Sequence, residues 1–328
     1  MLPNKISFEE IISVENLLSA WKEFLVGKKN RKDVQEFQLR MMDSVLLLHS
    51  DLKNKTYVHG GYQAFSINDP KPRNIHKAFV GDRLLHHALY RVLYPYFDKK
   101  FIHDSYSCRV RKGTHKALDR FNTFARKVSK NNTQTCWVLK CDVRKFFASI
   151  DQVVLLEILR KHIDDTDTLW LLERLVESFD SGKQGVGLPL GNLTSQLLVN
   201  IYMNEFDQYM KHIIKEKYYI RYADDFVILN ADKKHLEKLT VSISDFLNEK
   251  LKLTLHPNKV FIKTFASGVD FLGWIHFPYR RIIRTVTKKR MFKKLSVPDP
   301  KKETIDSYKG LLGWGNAYEL IQKIDKIS

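Results

Sequence analysis

Residues 218–230 read YYIRYADDFVILN, in which two apolar runs flank the adjacent carboxylates Asp224 and Asp225. Both runs are short and rich in β-branched and aromatic residues, a composition typical of strands. The pattern predicts a β-hairpin whose tight tip carries both aspartates, even though the turn contains no Gly. Adjacent carboxylates repel each other, so we expect this tip to bind a cation.

A further acidic residue, Asp142, lies near the end of the β-rich stretch TCWVLKCDV at residues 135–143 and closes the strand that it predicts. Ends of neighbouring strands meet on one edge of a sheet, so Asp142 can share an ion site with the hairpin tip. Carboxylate oxygens suit Mg²⁺, and two such ions serve phosphoryl transfer in polymerases. A lone Asp after a strand is usually a turn or cap residue. The inference therefore depends on all three aspartates together.

Composition indicates a globular protein with a polyanionic partner. Of its 328 residues, 44% are hydrophobic and 28% are charged, and the formal net charge is +18. Such a charge favours nucleic acid. An anionic membrane surface is the rival partner, but no apolar run reaches the roughly 18 residues that span a bilayer. The N-terminal residues lack a secretory pattern, so we expect a cytoplasmic protein without a membrane partner.

Hydrophobic periodicity predicts an α+β fold, with an antiparallel sheet that has helices on one face. Residues 8–53 indicate two helices, and YVHGGYQAFSI at residues 57–67 indicates a strand pair around a Gly turn. A helix at residues 79–98 should stop near Pro95. Three cysteines without metal-site spacing, Cys108, Cys136 and Cys141, should be reduced and structural.

Several motifs together resemble those of bacterial reverse transcriptases of the group II intron and retron superfamily. YADD is similar to their signature and CDVRKFFASID, residues 141–151, to their first metal-binding motif. Several motifs in one order are more specific than any one of them. The others follow in the expected order: KPRNI (71–75) with DRLLHHAL (82–89), SYSCRVRKGTHKAL (105–118), GLPLGNLTSQ (187–196), LTLHPNK (253–259) and FLGW (271–274).

The resemblance implies a right-hand polymerase fold in three parts. Fingers with a helical N-terminal segment would occupy residues 1–135, and a palm with the catalytic aspartates residues 136–283. Part of residues 151–185 would contribute to the fingers, and a small helical thumb would occupy residues 284–328. The implied activity is RNA-directed DNA synthesis from dNTPs on an RNA template with a DNA or RNA primer. Two Mg²⁺ ions would be required, with Mn²⁺ as a substitute.

The resemblance also assigns roles to residues. Asp142, Asp224 and Asp225 with the Val143 carbonyl would hold the ions, and Lys259 would protonate departing pyrophosphate. FLGW would hold the primer end, or else be an ordinary buried strand.

Two further assignments concern the incoming nucleotide. Arg73, with Lys71 as the weaker candidate, would bind its triphosphate. Phe147 would exclude a ribose 2′-hydroxyl, the alternative being core packing beside Phe146.

The GxxxS motif departs from the usual pattern of the family. Leu190 precedes Gly191 where most reverse transcriptases have Gln, and Gln196 follows Ser195 where most have Pro. Both features resemble enzymes of diversity-generating retroelements, in which the apolar residue accompanies error-prone copying. A lost hydrogen bond near the incoming nucleotide would weaken discrimination between correct and incorrect nucleotides.

The motifs leave other functions open. Antiphage-defence reverse transcriptases share the core motifs, and they would imply a dedicated noncoding RNA, whereas diversification would imply a small accessory protein. Untemplated or protein-primed DNA synthesis could use the same carboxylates. A non-catalytic RNA-binding scaffold would gain nothing from clustered negative charge.

Overall fold

The computed structural model describes residues 5–68, 72–298 and 300–326. Its α-helices, in chain order, are α1 (Phe8–Ile12), α2 (Val14–Phe24), α3 (Lys32–Leu39), α4 (Met41–Lys53), α5 (Val80–Asp98), α6 (Thr114–Val128), α7 (Gln152–Arg160), α8 (Thr166–Glu177), α9 (Leu193–Gln208), α10 (Lys233–Leu251), α11 (Thr285–Leu295), α12 (Lys302–Leu312) and α13 (Tyr318–Asp325). Its strands are β1 (Tyr62–Ile67), β2 (Arg73–Ala78), β3 (Trp137–Asp142), β4 (Tyr219–Tyr222), β5 (Asp225–Asn230), β6 (Phe261–Thr264), β7 (Val269–Phe271), β8 (Trp274–His276) and β9 (Arg281–Ile283).

The chain forms two compact units, each assembled from three separate segments. The first unit contains residues 1–103, 143–213 and 245–254, and the second contains residues 104–142, 214–244 and 255–328. The predicted fingers, palm and thumb are defined by function and not by compactness. That three-part division stays a prediction.

The first unit is mainly helical and carries one antiparallel hairpin, in which β1 pairs with β2 from Tyr62 opposite Ala78 to Ile67 opposite Arg73. Helix α5 packs on α2 and α9. Leu84, Leu85, Leu89 and Leu93 on α5 are buried, at the helical spacing that places them on the faces turned toward their neighbours.

Three expectations for this unit need correction. Residues 8–53 form four helices instead of two. Ser13 caps a new helix by accepting a hydrogen bond from the Asn16 amide, and the chain leaves the helical conformation again after Phe24 and after Leu39. Gly60 and Gly61 do not join two strands, since they precede β1 and the partner strand β2 comes later. Helix α5 also continues past Pro95 to Asp98, because a proline near a helix end removes few hydrogen bonds.

The second unit is built around a four-stranded antiparallel sheet in the order β4-β5-β3-β6, with a separate three-stranded sheet β7-β8-β9. The hairpin at residues 218–230 is therefore present as β4 and β5. Alternation along β3 and β5 puts Val138, Val227 and Leu229 on one face, where they join a core with Phe121 of α6 and Trp274 of β8.

Cys136 and Cys141 are buried and Cys108 is exposed, and all three are free thiols. Burial raises the pKa of the Cys136 thiol to about 12, so it is unreactive near neutral pH. Among the residues that the structure describes, no helix is both long enough and apolar enough to cross a membrane.

Candidate active site

The carboxylates of the YADD motif lie at a two-residue turn between β4 and β5. Ala223 and Asp224 form the turn, and Asp225 is the first residue of β5. Ala223 has a positive φ of 56°, which two-residue hairpin turns require at their first central position. Ala223 therefore takes the position that Gly usually occupies in such turns. Asp224 follows it, at the tip of the hairpin.

Asp142, the last residue of β3, lies directly opposite Asp225 in the antiparallel register. Asp225 is also opposite Tyr222 on its other side. Opposite residues project their side chains from the same face, with Cβ atoms about 4.5–5.5 Å apart. The register therefore places two carboxylates side by side at one end of the sheet, next to the turn that carries Asp224.

Lys140 is a functional candidate that the sequence reasoning missed. It lies two residues before Asp142 and so on the same face of β3, diagonal to Asp225. Its Nζ is 3.3 Å from Asp225 Oδ2, and its side chain is only 9% exposed. A lysine within an otherwise apolar strand was the available signal, because a buried ammonium needs an anionic partner.

Lys259 reaches the same cluster from the HPNK turn. The His256 amide donates a hydrogen bond of 2.7 Å to the Asp142 carbonyl, and the Lys259 amide donates to the His256 carbonyl. These bonds attach the turn to the end of β3. The Lys259 Nζ then donates a hydrogen bond of 2.8 Å to Asp142 Oδ1.

The electrostatics of the cluster favour an added cation. Burial raises the pKa of Asp225 to about 6, Lys140 opposes that shift, and the Asp142 and Asp224 carboxylates add to it. Asp225 Oδ1 is buried without a hydrogen-bond partner among the described residues. Together with the Asp142 and Asp224 carboxylates, this oxygen makes a set of hard oxygen donors that fits Mg²⁺.

Across the described residues, no group of three or more His, Cys, Asp or Glu side chains is already arranged as a metal-ligand set. The two lysines instead neutralise Asp142 and Asp225. Val143 follows Asp142 with its side chain buried, and its carbonyl as an ion ligand stays a prediction.

Arg221 supports the turn from within the protein and was also not foreseen. It is fully buried on β4, and its Nη1 donates to the Ala223 carbonyl at 3.1 Å. Its Nη2 donates to Ser105 Oγ, and its backbone carbonyl accepts from the Tyr106 amide. The SYSCRVRKGTH segment thereby holds the hairpin, and Thr114 adds a hydrogen bond to the Tyr222 hydroxyl.

Leu190 and Gly191 lie against the β1–β2 hairpin in the first unit. The Leu190 carbonyl accepts a hydrogen bond of 2.9 Å from the His76 amide. Gly191 has φ of 111°, and a Cβ there would come within 2.7 Å of Ile75. A glycine is required here for both reasons, and the Leu190 side chain is left half-buried.

The remaining nucleotide-site candidates also belong to the first unit. Phe146 is buried whereas Phe147 is only half-buried, in edge-to-face contact with it. Arg73, the first residue of β2, is exposed, and Gln196 on α9 is half-buried. Lys71 lies outside the described residues. Phe146 is thus the core residue of the pair and Phe147 is not fully buried. The roles of Lys71, Arg73, Phe147 and Gln196 stay predictions.

Comparison with known proteins identifies the family of the chain. Residues 68–276 match the family model for reverse transcriptase (RNA-dependent DNA polymerase). Protein YkfC of Escherichia coli K12 is 26% identical over 231 residues, which are 58% of this chain and 60% of that protein. The group II intron-encoded protein LtrA of Lactococcus lactis is 22% identical, with 68% of this chain and 48% of that one aligned. The chain thus spans less than two thirds of either relative.

A solved structure of apo telomerase from Candida tropicalis is similar in fold, with a TM-score of 0.52 at 12% identity. The match covers 66% of this chain and 47% of the telomerase chain. This supports the mixed helix-and-sheet fold alone. The family match extends over more than half of the sequence and includes both aspartate motifs, so the chain belongs to the reverse transcriptase (RNA-dependent DNA polymerase) family.

Proposed function

We propose that this chain is an RNA-directed DNA polymerase that copies an RNA template into cDNA from a DNA or RNA primer. The observation that carries the proposal is the register that sets Asp142 opposite Asp225, with Asp224 in the adjoining turn. Clustered carboxylates destabilise a metal-free protein. They are useful where divalent ions bind phosphates and a reacting hydroxyl.

Asp142, Asp224 and Asp225 are the proposed ligands, joined by the Val143 carbonyl. Bound Mg²⁺ would activate the primer hydroxyl and stabilise charge on the triphosphate. Lys140 and Lys259 neutralise Asp142 and Asp225 in the metal-free protein. Lys259, whose side chain is 44% exposed, is free enough to exchange Asp142 for the leaving pyrophosphate and to donate a proton to it.

We further propose an arrangement of fingers, palm and thumb, which family membership and the position of the carboxylates support. Residues 136–283 would be the palm, which agrees with the location of the four-stranded sheet. Residues 284–328 form the three helices α11 to α13 and carry 11 Lys and Arg against 5 Asp and Glu. Such a basic helical segment suits a thumb that follows a nucleic-acid backbone.

Selection of the nucleotide would use residues of the first unit. The exposed Arg73 guanidinium offers several N–H donors to a triphosphate. The partly exposed ring of Phe147 would exclude a ribose 2′-hydroxyl by its bulk, so dNTPs are the proposed substrates.

Error-prone synthesis in a diversity-generating retroelement is the biological role that we propose first. The apolar Leu190 side chain supports it, since its backbone carbonyl is committed to His76 and its side chain has no hydrogen bond to offer. Antiphage defence with a dedicated noncoding RNA is the alternative role. Either role would add a partner, a small protein in the first case and an RNA in the second.

The test is incorporation of labelled dNTPs by the purified protein with Mg²⁺ on a primed RNA of defined sequence. Product complementary to the template supports the proposal. Product of template-independent sequence, or label covalently attached to the protein, would establish untemplated or protein-primed synthesis instead. If the protein binds RNA but incorporates no dNTP with either Mg²⁺ or Mn²⁺, the result would support a non-catalytic RNA-binding scaffold.

A further inference from the structure

A basic cleft in the second unit shares no lining residue with the carboxylate cluster. It has a volume of about 270 Å³, and it is lined by α6, the β8–β9 turn and the turn that follows α12. Arg126, Arg280 and Arg281 all line it, and none of the described lining residues is acidic. Three guanidinium groups around one cleft attract an anion.

Arg281 is an unusual member of this set because its guanidinium is largely buried and incompletely bonded. Its side chain is 12% exposed, and Nη1 has no hydrogen-bond partner in the described part of the chain. The Asp119 carboxylate lies 3.9 Å from Nη1 and is 61% exposed, which is too long and too solvated for a strong bond. Nη1 itself is shielded from solvent, so an anion would reach Arg281 through the part of the side chain that lines the cleft.

The position of Arg281 is fixed by the chain around it. Its amide donates to Asn316 Oδ1 at 2.9 Å, and its carbonyl accepts from the Asn316 amide at 2.8 Å. Gly315 lies so close that an added Cβ would come within 2.0 Å of the Trp274 ring. The cleft wall is therefore held by two hydrogen bonds between Arg281 and Asn316 and by close packing.

Aromatic side chains border the same cleft. Trp314 lines it with 39% of its surface exposed and stacks on His115, with ring centroids 3.7 Å apart. Tyr279 is 84% exposed, and the Arg280 guanidinium lies over the Phe277 ring. Exposed aromatic surface beside arginines is the combination that binds unpaired bases and their phosphates.

The cleft adjoins the FLGW motif, whose Trp274 packs against Gly315, but none of the four FLGW residues lines it. Gly273 of that motif and Phe277 of the cleft lie beyond opposite ends of β8. Four residues of extended chain span roughly 13 Å. A volume of about 270 Å³ is too small to enclose a duplex, so the occupant that we consider is a single nucleotide.

We propose that this cleft binds one nucleotide of a single-stranded nucleic acid, with its phosphate on Arg126 and Arg281 and its base against Trp314 or Tyr279. The inference rests on the proposed function, because it gives the polymerase a second contact with a template or partner RNA. A strand anchored there would remain attached to the protein while the catalytic carboxylates act elsewhere.

The experiment is photo-crosslinking of the full chain to a single-stranded RNA that carries 4-thiouridine, with the modified residue located by tandem mass spectrometry. EDTA is present and dNTPs are absent, so the result does not depend on polymerase activity. Arg126→Gln and Tyr279→Ala are compared with Arg40→Gln, which removes an exposed arginine of the first unit. Inorganic phosphate, a mononucleotide and polyglutamate serve as competitors.

The expected result is a crosslink at Trp314 or Tyr279 whose yield falls roughly tenfold in Arg126→Gln but not in Arg40→Gln. A crosslink at Trp314 should fall in Tyr279→Ala as well. Competition by the mononucleotide at lower concentrations than inorganic phosphate would show that the base is recognised. Crosslinks confined to other regions, equal losses in all three variants, or displacement by polyglutamate as effective as by the mononucleotide would overturn the proposal. Absence of polymerase activity with an intact crosslink would contradict the proposed function alone.

Discussion

Asp142 and Asp225 face each other across the β3–β5 pair, and each carboxylate is paired with a different lysine. Lys259 bonds Asp142 at 2.8 Å, and Lys140 lies 3.3 Å from Asp225. The two lysines come from different places, one from the HPNK turn and one from the strand itself. The half-exposed Lys259 can leave its partner more easily than the buried Lys140, so the two should differ in function.

We expect Lys259→Gln to slow nucleotide incorporation by about 100-fold at saturating dNTP, since general acids contribute roughly 10²- to 10⁴-fold. Lys259→Arg keeps the positive charge beside Asp142 but is a poor proton donor, so it should remain slow. Single-turnover primer extension measures both, with the exposed Lys263→Gln as the matched control. Full activity of Lys259→Arg would show that Lys259 supplies charge alone.

Phe147→Ala should admit ribonucleotides. The ring is half-buried, and removing its bulk should reduce the preference for dCTP over CTP, compared as kcat/KM, by about tenfold or more. Phe65→Ala, which removes an exposed aromatic of β1, is the control and should leave the ratio unchanged. An unchanged ratio in Phe147→Ala would assign Phe147 to packing beside Phe146.

Leu190→Gln should lower misincorporation opposite template adenine by roughly tenfold, because a restored polar contact discriminates better than an apolar one. Leu190→Met keeps the side chain apolar and should retain the original error spectrum. Sequencing of cDNA from a defined RNA template measures both. Equal error rates in the two variants would exclude Leu190 as the source of low fidelity.

His86→Leu should stabilise the protein, and more strongly in acid. His86 on α5 is buried, and both its ring nitrogens lack partners among the described residues. Burial lowers its pKa to about 3, against an unfolded value of about 6.5.

Below pH 6.5 the unfolded chain therefore binds a proton that the folded chain excludes, and stability falls as the pH drops toward 3. At pH 5 this costs about 2 kcal/mol. Thermal unfolding should give a higher Tm for His86→Leu at pH 8 and a larger gain at pH 5. A gain that does not grow in acid would show that His86 is protonated in the folded state.

The amino-acid sequence was most informative where chemistry is local. The apolar runs around YADD were enough to predict the β4–β5 hairpin, and the strand end at Asp142 was predicted to within its residue. Periodicity gave the helices but not the break at Ser13 or the continuation of α5 past Pro95, because both depend on individual hydrogen bonds. The strand β2 was missed, since strand pairing depends on contacts between segments that are separate in the sequence.

Contacts that depend on the folded register were not predictable. The diagonal approach of Lys140 to Asp225 follows only from knowing which residues of β3 and β5 are opposite. The support of the turn by Arg221 joins β4 to Ser105, far away in the chain. The pairing of Lys259 with Asp142 likewise requires the HPNK turn to bond to the end of β3. The nucleotide-site roles came from family resemblance and still await measurement.

The most direct test of the central claim is incorporation of labelled dNTPs on a primed RNA template by the purified chain with Mg²⁺, beside the Asp224→Ala/Asp225→Ala double variant. Asp306→Asn, at an exposed aspartate of the same unit, is the control. We expect template-complementary cDNA that the control retains and the double variant loses by a factor of about 1000 or more, in keeping with the several kcal/mol that metal ions contribute. Undiminished synthesis by the double variant would contradict it.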